Sequence, residues 1–272
     1  MTITIVGLGL IGGSAGIALR RRGWRVRYID PHVNIDEARQ RGAADERSES
    51  ISDEDFVLLA TSVDLAAETL RTMRARLVTS VCSVMQPLRD VAQTRFVAGH
   101  PMAGSHEHGL AAARGDLFEG TRWFLDAHDD EVEQIVRDCG ATPDFVDARE
   151  HDRAVALTSH LPQILSTALA AYIGEHEELL RFAGGGLATF LRLAGSDASV
   201  WKPVIDANRA NIAPQAHEVG RIVREIIEGD PSDAFERAQR LWARLPGSPV
   251  AQLPSEHDAD AGKPGNRETG KP

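Results

Sequence analysis

A glycine-rich turn close to the first residue is the most distinctive group of residues that could do chemistry. Gly7, Gly9 and Gly12 are spaced Gly-x-Gly-x-x-Gly between an apolar run and a run of helix-forming residues that begins at Leu10. In that context the first glycine permits a tight turn, the second lets a pyrophosphate approach the backbone, and the third allows the helix to pack closely on the strand. The N–H groups of the first helical turn, with Leu10 and Ile11, then face the phosphates. The pattern predicts a dinucleotide-binding turn, and a glycine turn without a ligand is the alternative.

Asp30 is the candidate for cofactor selectivity. It closes the second apolar run, eighteen residues after the last glycine of the spaced motif. A carboxylate there can accept a hydrogen bond from a ribose 2′-hydroxyl and would repel a 2′-phosphate, which favours NAD over NADP. The alternative is an aspartate that caps the turn at Pro31, and the nearby arginines 20–22 leave NADP open. Two residues that follow a later apolar run are also assigned to the cofactor site: Thr61 and Ser62.

Two polar residues associated with later apolar runs could act on a substrate. His100 lies in the segment GHPMAGS, at the end of a predicted strand, which is where ligands bind in an α/β sheet. An imidazole there is a candidate general base. Ser83 lies at the end of the strand predicted at 78–84. For both residues a structural role is the alternative, because histidine is common in ordinary loops and serine is a frequent turn or cap residue.

The second half of the chain contributes a histidine and an arginine. His160 precedes Leu161 and Pro162 in an apolar helical pattern, so the proline should free or kink the backbone near His160. Arg192 lies in an otherwise apolar stretch and needs a partner if it is buried. No acidic residue is adjacent to it in sequence. A bound carboxylate is therefore a candidate partner, and an ordinary ion pair is the alternative.

Strands and helices alternate through the first half of the chain. The pattern predicts strands at residues 2–6, 24–29, 56–60 and 78–84 and helices at 10–22 and 65–77. This alternation predicts an α/β fold with a doubly wound parallel sheet of the Rossmann type. Shorter apolar runs could extend that sheet, with a helix at 131–139 between the last two of them; these runs are residues 95–98, 121–125 and 143–146.

From residue 150 onward only helical periodicity remains. Val155, Leu161, Leu165 and Leu169 belong to one broad apolar stripe, which is typical of amphipathic helices. These helices present more apolar surface than one Rossmann face can cover, so the helical half is expected to build a homodimer. Residues beyond 245 are rich in proline, glycine and charge and cannot bury enough apolar surface to order themselves. The predicted organisation is a Rossmann domain at 1–147, an all-helical domain at 148–245 and a disordered tail at 246–272.

Composition and charge exclude several classes of partner. A hydrophobic fraction of 42% and a charged fraction of 26% are typical of a soluble globular protein, and no apolar run reaches the roughly eighteen residues of a membrane span. The net charge of −10 argues against nucleic acid or an anionic membrane as partners, since both would need a basic face. Two cysteines are too few for a disulfide framework, and the first residues lack the features of a secretory signal, which favours the cytoplasm.

Five motifs together resemble one protein family. GLGLIGGS, SVCSV, GHPMAGSHEHG, SHLP, and AGGG followed by LRLAGSD agree in order and spacing with the TyrA family of prephenate and arogenate dehydrogenases over about residues 1–245. The resemblance implies NAD-dependent oxidative decarboxylation of prephenate to 4-hydroxyphenylpyruvate, with release of CO2 and NADH, in tyrosine biosynthesis. Oxidation of arogenate to tyrosine is the alternative. The resemblance implies no metal ion.

The resemblance also implies roles for the candidate residues. His100 would accept a hydrogen bond from the substrate ring hydroxyl, Ser83 would orient that hydroxyl and the nicotinamide, and Arg192 would bind a substrate carboxylate. His160 matches the first histidine of the family's SHLPH segment. Ser105, in the GHPMAGS segment, is included among the substrate-binding residues.

Three positions depart from the family pattern. Gln163 replaces the second histidine of SHLPH, which is a substrate-contacting position. His106 stands where a glutamate often follows, and Met85 stands where a lysine often follows the strand motif. Gln163 and His106 remain assigned to the substrate site. Because the principal catalytic candidates are present, these departures do not change the predicted reaction class. They keep the choice between prephenate and arogenate open.

Two other functions and a metal site are further alternatives. A β-hydroxyacid dehydrogenase shares the plan of a Rossmann domain followed by helices, but it usually depends on a helical-domain lysine, for which Lys202 is the only candidate. A non-catalytic NAD-sensing module would tolerate the loss of His100 and Ser83. His106 and His108, with His100, could bind a divalent ion.

Overall fold

The computed structural model describes residues 1–105 and 107–245. The chain divides into two compact units, Met1–Gln215 and Ala216–Pro272, and the second unit is described up to residue 245. His106 and the tail predicted at 246–272 lie outside the described residues.

A parallel sheet of six strands organises the first unit. Its strands are β1 (Thr2–Val6), β2 (Arg25–Ile29), β3 (Glu46–Arg47), β4 (Phe56–Leu59), β5 (Leu77–Ser80) and β6 (Phe96–Val97). They lie in the order β3-β2-β1-β4-β5-β6, and every neighbouring pair is parallel. The connections contain helices α1 (Leu10–Arg21), α2 (Ile35–Gln40), α3 (Val63–Thr72) and α4 (Gln86–Val91). The predicted α/β class is confirmed.

Both faces of the sheet are covered by apolar side chains. Successive residues of β4 point to opposite faces, so Leu58 packs into a core with α1, whereas Val57 and Leu59 pack into a second core with α3 and α4. The strand residues are fully buried on both sides, as expected for a parallel sheet between two helical layers. This packing fixes the strand ends that carry the candidate site.

Backbone hydrogen bonds explain why one helix and one strand end earlier than the sequence predicts. The helix predicted at 65–77 ends at Thr72, because the N–H groups of Arg76 and Leu77 already bond the Asp55 carbonyl at the entrance to β5. The strand predicted at 78–84 ends at Ser80, because β4 ends at Leu59 and the last ladder bond is from Val81 N to Leu59 O. Ser83 therefore lies in a loop beyond the strand.

A second sheet corrects the prediction that the later apolar runs extend the first one. Of the three runs, only 95–98 does so, as β6. The other two runs form β8 (Arg122–Leu125) and β9 (Thr142–Phe145) of a three-stranded sheet in the order β7-β8-β9, in which β8 pairs with β7 (Gly99–Pro101) and with β9. Helix α5 (Asp130–Asp138) connects β8 to β9. The chain turns between the sheets at Ala98, whose N–H donates to the carboxylate of Asp126 at 2.8 Å. His100 is consequently the middle residue of β7.

The rest of the described chain is helical. A π-helical turn (Ala156–His160) lies between α6 (Ala148–Val155) and α7 (Leu161–Gly174), which confirms the predicted irregularity beside Pro162. Proline has no N–H to donate to the preceding turn, and single π turns are a common way to absorb such a break. Further helices follow: α8 (Gly185–Phe190), α9 (Ala198–Glu228) and α10 (Ser232–Trp242), with 3₁₀ turns at Leu110–Ala112, Glu177–Phe182 and Leu191–Gly195.

Large apolar side chains are exposed along the helical part. Leu165, Leu169 and Tyr172 of α7 are 37% to 63% exposed. The continuous stretch Ala148–Gly174 is long and apolar enough to cross a bilayer, by length and composition only, and a third of its most apolar window is buried in the fold. In the second unit, α10 leaves Phe235, Leu241 and Trp242 exposed.

Candidate active site

The glycine turn has the geometry that a dinucleotide requires. Gly7 has φ +90°, and a Cβ there would lie 2.6 Å from the Ala60 carbonyl oxygen. A Cβ on Gly12 would lie 2.0 Å from the Gly7 carbonyl oxygen. Gly9, by contrast, has no atom within 4 Å of its Cβ position. Two of the glycines are therefore needed for packing, whereas Gly9 borders open space where a phosphate can approach the backbone.

The first turn of α1 supplies the anion-binding groups. Gly9 is its N-cap, no acidic residue lies in the first turn, and Leu10 and Ile11 are its first residues. Their N–H groups have no intrahelical acceptor, because the first four amides of a helix lack one. The turn follows β1, where the strand order reverses between β1 and β4, which is the place where open α/β sheets bind nucleotides. The residues present fit a pyrophosphate.

Asp30 connects the glycine turn to the adenosine side. One carboxylate oxygen accepts the Leu8 N–H and the other accepts the His32 N–H, each at 2.8 Å. The second bond is the turn cap that is the alternative role of Asp30, and the ribose contact stays a prediction. Each oxygen keeps a further lone pair for a ribose hydroxyl. Asp30 borders a cavity of about 380 Å³ that is also lined by Arg47, Ser48 and Glu49.

Thr61 and Ser62 lie at the same sheet edge, directly after β4. Ser62 is the N-cap of α3 and is exposed, and Thr61 is half-buried. The Thr61 side chain would lie 2.9 Å from a Cβ on Gly7, and its carbonyl accepts from the thiol of Cys82 at 3.6 Å. The cofactor turn is thus in contact with the loop that carries Ser83.

The segments that carry Ser83 and His100 meet at a close contact between β5 and β7. Gly99 N donates to the hydroxyl of Ser80 at 3.3 Å, and a Cβ on Gly99 would lie 2.6 Å from the Ser80 carbonyl oxygen. Glycine is therefore needed for this approach. Ser83 lies three residues beyond the contact and His100 one residue beyond it. Within the described residues, the Ser83 hydroxyl makes no hydrogen bond to another protein group and is half-buried.

His100 is held by a second histidine that the sequence analysis did not single out. Its Nδ1 lies 3.0 Å from Nε2 of His151, with the rings edge to face. Burial, together with the charges of His151 and His160, lowers the pKa of His100 to about 3. The imidazole is therefore neutral at physiological pH, as a proton acceptor must be. In the described range no protein group bonds its Nε2.

Asp152 completes this chain of polar groups. Its Oδ1 lies 2.9 Å from Nδ1 of His151, and the carboxylate also accepts the N–H groups of Met85 and Gln86 at 2.9 Å. His151 and Asp152 are both 2% exposed. The sequence did carry a signal for this pair. His151 and Asp152 lie with Ala148 and Val155 on the buried face of α6, where an amphipathic helix normally has apolar side chains.

His160 lies on the far side of the same cluster. Asn208 of α9 donates to the Asp152 carbonyl at 2.8 Å and to His160 Nδ1 at 3.1 Å. The proton of a neutral His160 is then on Nε2, which is buried and has no partner in the described part of the chain. Burial is the main reason that the pKa of His160 is lowered to about 4, opposed by the charge of Asp152.

Gln163 and Arg192 form a neighbouring cluster. Gln163 is buried, and its amide donates to Thr167 Oγ1 and the Leu193 carbonyl at 3.1 and 2.8 Å. Both amide hydrogens are thus used inside the protein. Leu193 lies beside Arg192, so Gln163 fixes the turn that carries the arginine. Arg192 is exposed and makes no ion pair within residues 1–105 and 107–245.

The loop after β7 contributes less. Ser105 is exposed, and its hydroxyl accepts the Glu107 N–H at 3.1 Å. The structure therefore joins His100 and His160 through one hydrogen-bonded network, and Ser83 lies in the loop whose Met85 and Gln86 N–H groups bond Asp152 of that network. The glycine turn, Asp30, Thr61 and Ser62 lie at the adjoining sheet edge, and Ser105 and Arg192 lie outside the network. His106 lies beyond the described residues.

The strand order and the turn at its reversal point define a Rossmann-type dinucleotide-binding protein with a helical second part. Residues 15–141 match the family model of the nucleotide-binding domain of prephenate dehydrogenase, and residues 147–238 match that of its dimerization domain. The chain belongs to the prephenate dehydrogenase family.

Individual relatives agree with this placement. A probable prephenate dehydrogenase of Streptomyces niveus is 32% identical over 84% of this chain and 68% of its own length. The prephenate dehydrogenase of Lactococcus lactis subsp. cremoris is 28% identical over 76% of this chain, which spans 64% of that relative. The crystal structure of Aquifex aeolicus prephenate dehydrogenase with hydroxyphenyl propionate and NAD+ superposes with a TM-score of 0.75, at 26% identity, over 89% of this chain and 96% of that one.

Proposed function

We propose that this protein is an NAD-dependent dehydrogenase that converts prephenate to 4-hydroxyphenylpyruvate, CO2 and NADH. The observation that carries the proposal is the position of His100, a neutral imidazole with a free Nε2, one residue from the β5–β7 contact and beside the loop of Ser83. That loop contacts the cofactor edge through Cys82 and Thr61. Membership of the prephenate dehydrogenase family supports the substrate class.

The residues of the chain divide the reaction among them. NAD, held by the glycine turn and Asp30, would supply the acceptor for the hydride that leaves the ring carbon bearing the hydroxyl. His100 Nε2 accepts the hydroxyl proton as that hydride leaves, and Ser83 orients the hydroxyl. The bond from the opposite ring carbon to its carboxylate then breaks, CO2 departs, and the electron pair makes the ring aromatic. The proton held by His100 returns to the phenolate oxygen, so atoms and charge balance.

Arg192 is assigned to a substrate carboxylate. It is exposed and free of ion pairs in the described range, and Gln163 and Ser166 bond the carbonyls of Leu193 and Phe190 on either side of it. A guanidinium on a turn held in this way can pair with a carboxylate through two parallel hydrogen bonds. Ser105, His106, His160 and Gln163 remain proposed substrate-site residues.

Arogenate is the second candidate substrate. A crystal structure of Synechocystis arogenate dehydrogenase superposes with a TM-score of 0.71 at 25% identity over 90% of this chain and 97% of that one. Gln163 favours neither side chain by charge, because its amide is neutral.

One comparison tests substrate and cofactor together. NADH or NADPH formation is followed with prephenate and with arogenate, each with NAD and with NADP. We expect turnover with prephenate and NAD, and a lower kcat/KM with NADP because Asp30 repels a 2′-phosphate. Faster turnover of arogenate would reassign the substrate, and no turnover with either acid would contradict the reaction.

A homodimer built by the helical part is also proposed. The support is the exposed apolar face of α7 and the match of residues 147–238 to a dimerization domain. We retain the division into a Rossmann domain at 1–147 and a helical domain at 148–245. A monomeric mass by light scattering at micromolar concentration would contradict the dimer.

A cytoplasmic location is proposed on the state of the thiols. Both cysteines, Cys82 and Cys139, are free and buried, which suits a reducing compartment. Fractionation of the producing cells, with the chain detected by antibody, tests this location.

A further inference from the structure

We propose that His151 and Asp152 are a positioning pair that keeps the proton of His100 on Nδ1, so that Nε2 is left free to accept the substrate proton. The inference rests on the proposed function for its chemical meaning. It assigns a role to two residues outside the five motifs that carry the family resemblance.

The direction of each hydrogen bond follows from Asp152, the last group in this series of hydrogen-bonded side chains. Both oxygens of Asp152 already accept backbone N–H groups, from Met85 and Gln86, so the carboxylate acts as an acceptor. His151 Nδ1, 2.9 Å from Oδ1, must therefore donate. A neutral imidazole has one N–H, so His151 Nε2 is an acceptor. His100 Nδ1, 3.0 Å away, must then be the donor, which leaves Nε2 of His100 without a proton.

The surroundings hold this arrangement in place. His151 is 2% exposed, and its ring packs against Phe124 of β8 at 5.8 Å between centroids. Asn208 bonds both the Asp152 carbonyl and His160. Buried side chains in such networks cannot rotate without breaking several hydrogen bonds, so the tautomer of His100 is set by packing.

The pair also stabilises the positively charged form of His100 that arises during the reaction. When His100 accepts the substrate proton it becomes an imidazolium, and its Nδ1–H points at His151. Asp152 lies one residue beyond and can stabilise the positive charge through the His151 ring. The logic is that of a carboxylate that orients a catalytic histidine, with a second histidine between the two.

Asp152 connects the base to the other catalytic candidate as well. The two N–H groups that it accepts belong to residues 85 and 86, and Ser83 lies two residues before them. One buried carboxylate therefore fixes the loop of Ser83 and, through His151, the ring of His100. A change at Asp152 would disturb both groups, so His151 is the better residue for a test.

The tautomer can be observed without any turnover. Histidine labelled with 15N distinguishes protonated from unprotonated ring nitrogens in long-range 1H–15N spectra, and the His100→Asn variant identifies the His100 signals. In the unaltered protein we expect Nδ1 protonated and Nε2 unprotonated. In His151→Leu the proton should redistribute between the two nitrogens, whereas His151→Gln, whose amide oxygen can still accept, should keep it on Nδ1. A protonated Nε2 in the unaltered protein, as a cationic His151 would produce, overturns the proposal.

Kinetics supply the second readout. We expect His151→Leu to lower kcat by roughly 10- to 100-fold, by analogy with the loss of a hydrogen-bond partner from a metal-bound histidine. KM should change by less than about threefold, because no substrate contact is removed. His151→Gln should recover most of the loss. The matched control is His128→Leu, because the side chain of His128 is 76% exposed. Equal kcat in the Leu and Gln variants, or a loss of kcat with an unchanged His100 tautomer, overturns the proposal.

The two proposals fail in different ways. Absence of turnover of both cyclohexadienyl acids by the unaltered protein would refute the function, and the spectra would still decide the tautomer. Retained turnover in His151→Leu would refute the positioning pair and leave the function intact. If His151→Leu does not give the near-ultraviolet circular dichroism of a folded protein, His151→Gln decides. A His100 proton redistributed between the two ring nitrogens in that variant, or a kcat as low as that of His100→Asn, would then contradict the pair.

Discussion

The two sides of the candidate site are built from different materials. The cofactor side consists mainly of backbone groups, at three glycines and at the start of α1. Its one carboxylate, that of Asp30, itself accepts backbone N–H groups. The substrate side consists of buried side chains, with His100, His151, Asp152, Asn208 and His160 joined by hydrogen bonds.

This difference decides how each side responds to change. A backbone site depends on the space around it. A network of buried side chains depends on each member, because the removal of one leaves its neighbours with unsatisfied donors or acceptors. We therefore expect the cofactor side to be sensitive to added atoms and the substrate side to lost hydrogen bonds and to pH.

Loss of the imidazole at position 100 should have the largest effect. His100→Ala is expected to lower kcat by roughly 10²- to 10⁴-fold, the usual range for a lost general base. NAD binding, measured by fluorescence titration, should stay within about threefold because the backbone side is intact. A near-normal kcat would sink the assignment of His100 as the base.

Loss of the guanidinium at position 192 should act on binding. Arg192→Ala is expected to raise KM for the substrate by an amount equivalent to about 1.5–3 kcal/mol, the value of a charged hydrogen bond, with a smaller effect on kcat. The Arg153→Ala variant is the control, because that arginine is likewise exposed but lies on α6. An unchanged KM would make Arg192 a structural residue.

Two glycines of the same turn should respond differently to one added methyl group. Gly12→Ala places a Cβ 2.0 Å from the Gly7 carbonyl oxygen, and we expect the free energy of unfolding to fall by about 1–3 kcal/mol. Gly9→Ala meets no atom within 4 Å, so stability should hold while the Kd for NAD rises about tenfold or more, near 1.4 kcal/mol. Urea unfolding and NAD titration of both variants test the pair. Equal stability of the two would show that the turn can relax.

Acid should weaken the substrate side through its neutral histidines. The pKa of His100 is lowered to about 3 and that of His160 to about 4, both mainly by burial, whereas an unfolded histidine titrates near about 6.5. Between those values the unfolded chain binds more protons, so the free energy of unfolding should fall as pH decreases from about 6.5 to about 4. Urea unfolding at a series of pH values measures the slope, which should be shallower in His160→Gln. Identical slopes would exclude His160 as a contributor.

The cofactor side was predictable from the sequence because its signal is local. Gly7, Gly9, Gly12 and Asp30 lie within one strand–helix–strand segment, and the chain geometry alone brings them together. The structure added that Asp30 also caps the turn at His32. The family resemblance likewise depended on short motifs, and the family is confirmed.

The substrate side was only partly predictable because its contacts are long-range. The motif around His100 indicates its role, but His151 lies 51 residues away in sequence. No residue adjacent to either histidine indicates that the two rings are in contact. The second sheet was missed for a similar reason. Runs at 121–125 and 143–146 carry strand propensity but no information about which strand they pair with. In the structure the first pairs with β7, and the second pairs with the first.

The π turn before Pro162 makes the helix from residue 148 to 174 sensitive to length. Such a turn holds one extra residue within an α-helix, so the helical faces before and after it stay in phase. Deleting one residue from the exposed pair Leu157 and Thr158 would force regular α geometry and bring the Pro162 ring against the carbonyl of the preceding turn. His151, Asp152 and Gln163 would keep their faces, so such a deletion should cost stability rather than rotate one functional surface against the other. A one-residue insertion, by contrast, would turn Gln163 by about 100° relative to His151 and Asp152.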